Sequence, residues 1–237
     1  MDKLVNYTSS SDDDDKEEPL IKKQKLILPQ PFKKEPTISK PNNRYNHQGR
    51  KRQIPHEEGN WSSHVFIDCS HLNGVLTEII EKITSTYPNI EKIEEEHLSL
   101  SKNFILKYHW IDNFTSVLSR NLKFTSFSLK FDFSNIIFLS NEDHSRHFAC
   151  IMIDESCDFH LKKLIDQTDK SLIEFELPKY YEKLILHVSI FWKLNEFTED
   201  EKKLIREEFI KLDSTFYIHI DKICFKTGNK MKFFHSI

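Results

Sequence analysis

Two short segments hold the residues best suited to proton-transfer chemistry: His97-Leu98-Ser99-Leu100 and His187-Val188-Ser189-Ile190. Both follow the order histidine, aliphatic, serine, aliphatic. In an extended strand residues i and i+2 project to the same face. Each segment therefore puts its histidine and serine on one side and two aliphatic residues on the other. Imidazole, with an unperturbed pKa of about 6.5, takes up or gives a proton near neutral pH. A serine hydroxyl donates to an oxygen that is gaining charge. Two such strands facing one cleft supply a base, an acid and two hydrogen-bond donors. Cleavage of an RNA phosphodiester by the neighbouring 2′-hydroxyl needs that set: the base takes the 2′ proton, the acid protonates the departing 5′-oxygen, and the donors hold the non-bridging oxygens. The reaction calls for no metal and no cofactor, and a DNA residue at the attacking position is inert to it. Its product is a 2′,3′-cyclic phosphate, which some sites open to a monophosphate. A chain of this composition yields about 0.16 such motifs by random placement, so finding two exceeds chance.

The other candidate groups favour plainer roles. The four cysteines, Cys69, Cys150, Cys157 and Cys224, are scattered with no C-x-x-C pair, which favours reduced thiols of an intracellular protein over a zinc site. His144-x-x-His147 has a metal-compatible spacing, but it falls between strands with no third ligand nearby, so no metal site is expected. His56, His64 and His109 are expected to be structural, and Trp61, Trp110 and Trp192 are expected to be core residues.

The elements that must position the motifs follow from periodicity. Strands are expected at 61–68, 96–101, 124–133, 135–140, 147–153, 184–192, 215–220, 222–226 and 231–235. Helices are expected at 75–86, ended by Pro88, at 108–122, near 159–167, and from the Thr198-x-x-Glu201 capping pattern to Lys211. The order lacks the regular alternation of a doubly wound fold. It predicts an α+β protein with largely antiparallel sheets, and the His-bearing strand in each half hints at two similar lobes.

Composition divides the chain. Six of its eight prolines lie in the first 55 residues, together with the acidic run Asp12 to Asp15. A segment so poor in apolar clusters cannot offset its ordering entropy, so residues 1–55 are expected to be a disordered polar tail and 56–237 the folded domain. The tail holds 12 basic and 8 acidic residues, leaving 22 basic against 29 acidic in the body. That balance argues against a duplex binder with a broad basic face, and any RNA must be short, single-stranded and gripped locally. No apolar run reaches membrane-span length and no secretory leader is visible. The cluster Lys22-Lys23-Gln24-Lys25, and with it Arg50-Lys51-Arg52, has the composition of a nuclear import signal.

The two motifs resemble the H-x-[ST]-x signatures of the two-histidine (2H) phosphoesterase superfamily. The surrounding blocks narrow the resemblance. Pro55-His56-Glu57-Glu58-Gly59-Asn60-Trp61-Ser62-Ser63-His64-Val65, His109-Trp110-Ile111, Leu186-His187-Val188-Ser189 and Lys226-Thr227-Gly228-Asn229-Lys230 are similar, in the same order, to blocks of the U6 small nuclear RNA phosphodiesterase family. The resemblance covers about residues 50–237. It implies a bilobed 2H phosphoesterase-like fold, with two pseudo-symmetric lobes of mainly antiparallel sheet, helices packed outside and a central catalytic cleft. It implies a nuclear 3′–5′ exonuclease that removes uridines and adenosines from the 3′ end of U6 RNA during spliceosome maturation. His97 and His187 carry over as catalytic, with Ser99 and Ser189 as phosphate ligands. Tyr181 carries over as an aromatic that stacks on a terminal base, and Lys183, Leu184, Ile185 and Leu186 as the approach to the second motif. Leu98 and Val188 border the same site, and Lys226 and Lys230 flank the Gly228-Asn229 turn as phosphate-steering residues. Glu142 stands where the family often has glutamine, and the 183–186 approach is more apolar than usual.

The expected partner is a single-stranded RNA 3′ end, acted on in the nucleus by a monomer without a membrane or cofactor. The runners-up are another 2H enzyme, either 2′–5′ RNA ligase-like or a cyclic nucleotide phosphodiesterase, and a non-catalytic RNA-binding splicing factor. Sequence alone leaves open which histidine is base and which is acid, and whether the product ring is opened.

Overall fold

In the computed structural model, residues 58–212 and 216–237 are described. The expected tail at 1–55, both basic clusters and His56 lie outside them. Among the described residues, ten strands and four α-helices occur in the order β1 (Asn60–Asp68), α1 (Leu72–Thr86), β2 (Glu91–Lys92), β3 (His97–Ser99), β4 (Phe104–Lys107), α2 (Ile111–Asn121), β5 (Phe127–Ser140), β6 (His147–Ile153), α3 (Asp158–Ile173), β7 (His187–Lys193), α4 (Glu199–Ile210), β8 (Phe216–Ile220), β9 (Lys222–Thr227) and β10 (Lys230–His235).

The strands form one curled, antiparallel sheet in the order β10-β9-β1-β3-β7-β6-β5-β8, with β4 added to β1 and β2 to β7. The expected α+β, two-lobed arrangement is present. The two halves, however, are one continuous sheet joined where β3 meets β7, with Leu98 opposite Val188. A single hydrophobic core runs beneath both halves and includes Ile67, Leu98, Ile151 and Val188. The helices also bridge them. α1 meets α4 through Lys82 Nζ and Glu208 Oε1 at 2.9 Å, and α2 meets α3 through Asn121 Nδ2 and Ser171 Oγ at 3.1 Å.

Local sequence explains most of these elements. α1 buries Leu72, Leu76, Ile79, Ile80 and Ile83, a helical stripe facing the sheet. α4 opens on the expected capping box: the Glu201 amide donates to Thr198 Oγ1 (3.3 Å) and the Thr198 amide to Glu201 Oε2 (2.7 Å). The Gly228-Asn229 turn joins β9 to β10, and Gly228 has φ +56°. A Cβ there would lie 2.4 Å from a Trp61 ring carbon, so glycine is needed both for the backbone and for the close packing.

Three expectations are corrected. The turn expected between strands 124–133 and 135–140 is an irregularity inside one 14-residue strand, β5, whose register shifts between Asp132 and Ile136. There the Ser134 amide and hydroxyl both donate to Asp132 Oδ1 (3.1 and 2.6 Å), satisfying locally what the ladder drops. The helix expected to stop near 167 continues to Ile173. Its polar residues are absorbed: Thr168 Oγ1 donates to the Leu164 carbonyl (2.9 Å) and Asn121 donates to Ser171 Oγ (3.1 Å). The strand expected from 184 starts at His187, while β4, unforeseen in the sequence, pairs with β1.

Candidate active site

The seam between the halves brings the two motifs together. Because Leu98 opposes Val188 in an antiparallel pair, His97 stands across from Ser189 and Ser99 across from His187. Leu98 and Val188 point into the core, both at most 1% exposed, so the two histidines and two serines share the opposite face. Diagonal neighbours across an antiparallel pair lie about 7–8 Å apart, a separation that lets two imidazoles flank one phosphodiester. The same face continues outward through Asp68 beside His97 and Phe66 beside Ser99. On the other side come Cys150 beside Ser189 and Met152 beside His187.

One local device orients both rings. His97 Nδ1 lies 2.7 Å from the Glu95 carbonyl and His187 Nδ1 lies 2.6 Å from the Ile185 carbonyl. A carbonyl oxygen only accepts, so each Nδ1 carries a hydrogen and each neutral ring keeps a lone pair on Nε2. Burial pushes both histidines below the ordinary imidazole value. At His97 the Glu95 carbonyl and carboxylate work against burial, while the Lys226 ammonium adds to it. At His187 the Ile185 carbonyl opposes burial and the charge of His97 reinforces it.

The serines have different neighbours. Ser99 Oγ is 3.1 Å from His64 Nε2, whereas Ser189 Oγ is 3.3 Å from the Cys150 thiol. Burial pushes Cys150 up to about 12, so it stays a neutral, weak partner. All four cysteines are free and buried. His64, expected from sequence to be structural, sits within this cluster. Its ring stacks on Phe66 (centroids 5.1 Å, 17°) and meets the His97 ring edge-on (5.0 Å, 75°). Strand parity puts His64 on the face of Phe66 and Asp68, but the cross-strand register that gives it Ser99 is not written in the sequence.

The residues named for substrate contact fall into three groups. Leu98, Val188 and Leu186 are buried, so only their backbones border the site. The Leu186 carbonyl accepts from the Ile153 amide (3.0 Å), which holds the approach segment to β6. Leu184 packs against the core, Ile185 supplies the carbonyl for His187, and Lys183 is exposed. Tyr181 and Glu142 come together around Lys102, a residue the sequence reading had not singled out. The Lys102 ammonium lies 4.0 Å from the Tyr181 ring centroid and 3.7 Å from Glu142 Oε1, while Tyr181 is 46% exposed. On the first half, Lys226 pairs with Glu95 Oε2 at 2.6 Å, next to the backbone that orients His97. Lys230 sits apart, over the rings of Trp61 (5.4 Å) and Tyr108 (5.0 Å).

Of the remaining histidines, His144 pairs with Ser140 Oγ (3.0 Å) at a residue with φ 51°, and His109 rests edge-on against Trp110. Among the described residues no group of three or more His, Cys, Asp or Glu side chains is placed to hold a metal ion.

Comparison with known proteins gives a consistent picture. The chain matches the HVSL family, described as an uncharacterised conserved protein, over residues 27–235. It is 30% identical over 200 residues to U6 snRNA phosphodiesterase 1 of Danio rerio, covering 78% of this chain and 70% of that protein. It is 28% identical over 195 residues to the Rattus norvegicus protein of the same name, covering 78% and 72%. Among solved structures, Kluyveromyces marxianus Usb1 with uridine monophosphate superimposes with a TM-score of 0.51 at 14% identity, over 74% of this chain and 97% of that one. That last likeness is one of fold.

Proposed function

The chain belongs to the HVSL family and to that of the U6 snRNA phosphodiesterases, and on that premise we propose that it is a phosphodiesterase that trims the 3′ end of U6 small nuclear RNA as a metal-independent 3′–5′ exonuclease in the nucleus. The observation that carries this reading is the seam: two histidines with Nδ1 tied back to carbonyls, and two serines, on one face across a single antiparallel pair.

The chemistry follows from that placement. One histidine, neutral, takes the proton of the 2′-hydroxyl on its Nε2 lone pair. The oxygen so freed attacks phosphorus. The bond to the 5′-oxygen of the terminal nucleoside breaks, and the other histidine, as imidazolium, gives that oxygen its Nε2 proton. The nucleoside leaves, and the shortened RNA ends in a 2′,3′-cyclic phosphate. If water later enters where the nucleoside left, the roles reverse and the ring opens to a 3′-phosphate. Ser99 and Ser189 donate to the non-bridging oxygens as charge builds on them. Both proton transfers are met by imidazole, so the scheme calls for no Lewis acid.

Substrate grip is local. Tyr181, with Glu142 and Lys102 against it, offers an exposed ring to the terminal base, a contact tolerant of base identity. Lys183 lies exposed beside it, and Lys226 lies on the opposite flank. A body with more acidic than basic residues suits a short single-stranded end held at the seam. Mass spectrometry of the 3′ end after digestion of a uridine-tailed RNA, with and without EDTA, tests the reading. Stepwise loss of 3′ nucleotides to a cyclic phosphate or 3′-phosphate, unchanged by chelator, is expected. Loss of trimming in EDTA, or turnover of cyclic nucleotides alone, would sink it.

A further inference from the structure

We propose that His64 is a positioning residue for the reaction: an imidazole whose Nε2–H donates to Ser99 Oγ, so that the Ser99 hydroxyl proton is left to point at the scissile phosphate. The inference rests on the proposed role of Ser99 as a phosphate donor.

The geometry limits what His64 can do. Its Nε2 is 3.1 Å from Ser99 Oγ. Its ring stacks on Phe66 and meets the His97 ring edge-to-face, contacts that favour this rotamer. Across the strand lies Lys226, whose ammonium is paired with Glu95. The charged or titratable groups around His64 are thus His97 and Lys226, both of which oppose a positive charge on it. Burial, helped by those two, lowers His64 to about 3. At any working pH the ring is neutral, with one donor nitrogen and one acceptor nitrogen.

A hydroxyl has one hydrogen and two lone pairs. If Ser99 gave its hydrogen to His64, it would present only lone pairs to an anionic phosphate oxygen, which repels them. If His64 donates through Nε2–H, Ser99 accepts with one lone pair and its own hydrogen goes to the phosphate. An anionic oxygen is a stronger acceptor than neutral imidazole, so substrate favours the second arrangement. Holding that rotor before the substrate arrives is electrostatic preorganisation. The neighbourhood holds the backbone still as well, since the Val65 amide donates to Ser101 Oγ (2.9 Å) and the Leu100 amide to the Val65 carbonyl (2.9 Å).

The test is a double-mutant cycle on steady-state cleavage of a uridine-tailed RNA. His64→Ala should lower kcat about tenfold with KM nearly unchanged, since the Ser99 contact strengthens as charge develops. In a Ser99→Ala background the same change should cost less than about twofold, because neighbours acting as one unit are not additive. His64→Gln, whose amide nitrogen can take the place of Nε2–H, should stay within about threefold of the parent and leave the pH–rate profile where it was. Loss in His64→Ala of equal size with and without Ser99, or a pH limb that disappears in His64→Gln, would overturn the proposal. An activity-independent arm uses 15N-histidine-labelled protein with inorganic phosphate. A protonated Nε2 on His64 supports the assignment, and a protonated Nδ1 with bare Nε2 refutes it. Failure of Ser99→Ala to slow cleavage would instead count against the proposed role of Ser99, which separates the two claims.

Discussion

The two halves of the seam repeat one backbone device and differ in almost everything around it. In each, a histidine opens a strand and returns its Nδ1 to the carbonyl two residues earlier. The first, on β3, occupies a strand of only three residues and is ringed by polar groups: Glu95, Asp68, Lys226 and His64. The second, on β7, occupies seven residues, pairs with β6 along its length and ends on a buried ion pair. There Lys193 Nζ meets both Glu201 carboxylate oxygens at 2.7 and 2.8 Å. Orientation of each imidazole is thus set locally by the chain, while its charge environment and its anchorage are set by whichever half surrounds it.

The largest effect should come from the histidines themselves. His97→Ala or His187→Ala should each slow cleavage by about 10²–10⁴-fold, measured as single-turnover rate on a uridine-tailed RNA. A variant that keeps a tenth of the parent rate would break the pairing. Next, Lys193→Ala should destabilise the fold by roughly 3–5 kcal/mol in chemical denaturation, because it strands a carboxylate that is 4% exposed. A change below about 1 kcal/mol would mean that β7 does not depend on that anchor.

A smaller difference should separate the serines. Ser99→Ala should cost about a hundredfold in kcat and Ser189→Ala about tenfold, since Ser99 faces a fixed nitrogen and Ser189 a thiol. Equal losses would erase the contrast between the halves. The smallest effect is a shift in pH. Burial disfavours the charged form of both histidines, so each stays neutral to a lower pH than free imidazole. The bell-shaped kcat/KM profile should therefore centre below about 6.5, its limbs belonging to the coupled pair. Lys226 lowers His97 and holds Glu95, which raises it. Lys226→Met should accordingly move one limb upward and leave the other in place. Both limbs moving together would show that the halves are not tuned separately.

Much of this was legible in the sequence. Parity along each H-x-S segment put histidine and serine on one face and Leu98 and Val188 in the core, because side chains alternate with a period of two. The Thr198-Glu201 capping box and the Gly228-Asn229 turn are short-range features decided by neighbouring residues. What went astray needed distant partners. The bend at Asp132 to Ser134 resembles a turn until β6 and β8 bind both ends of β5. The polar residues that end the expected helix near 167 are absorbed in the fold, Thr168 by the Leu164 carbonyl and Ser171 by Asn121 of α2.

The sequence by itself determined that each histidine shares a strand face with its serine and which aliphatic neighbours turn to the core, since side-chain alternation depends only on adjacent residues. Only the tertiary structure decided that His97 faces Ser189 and Ser99 faces His187, that His64 leans on Ser99, and that Lys102 lies on Tyr181. Those neighbours are brought together by strand register and loop packing, which emerge from burying one shared core across both halves.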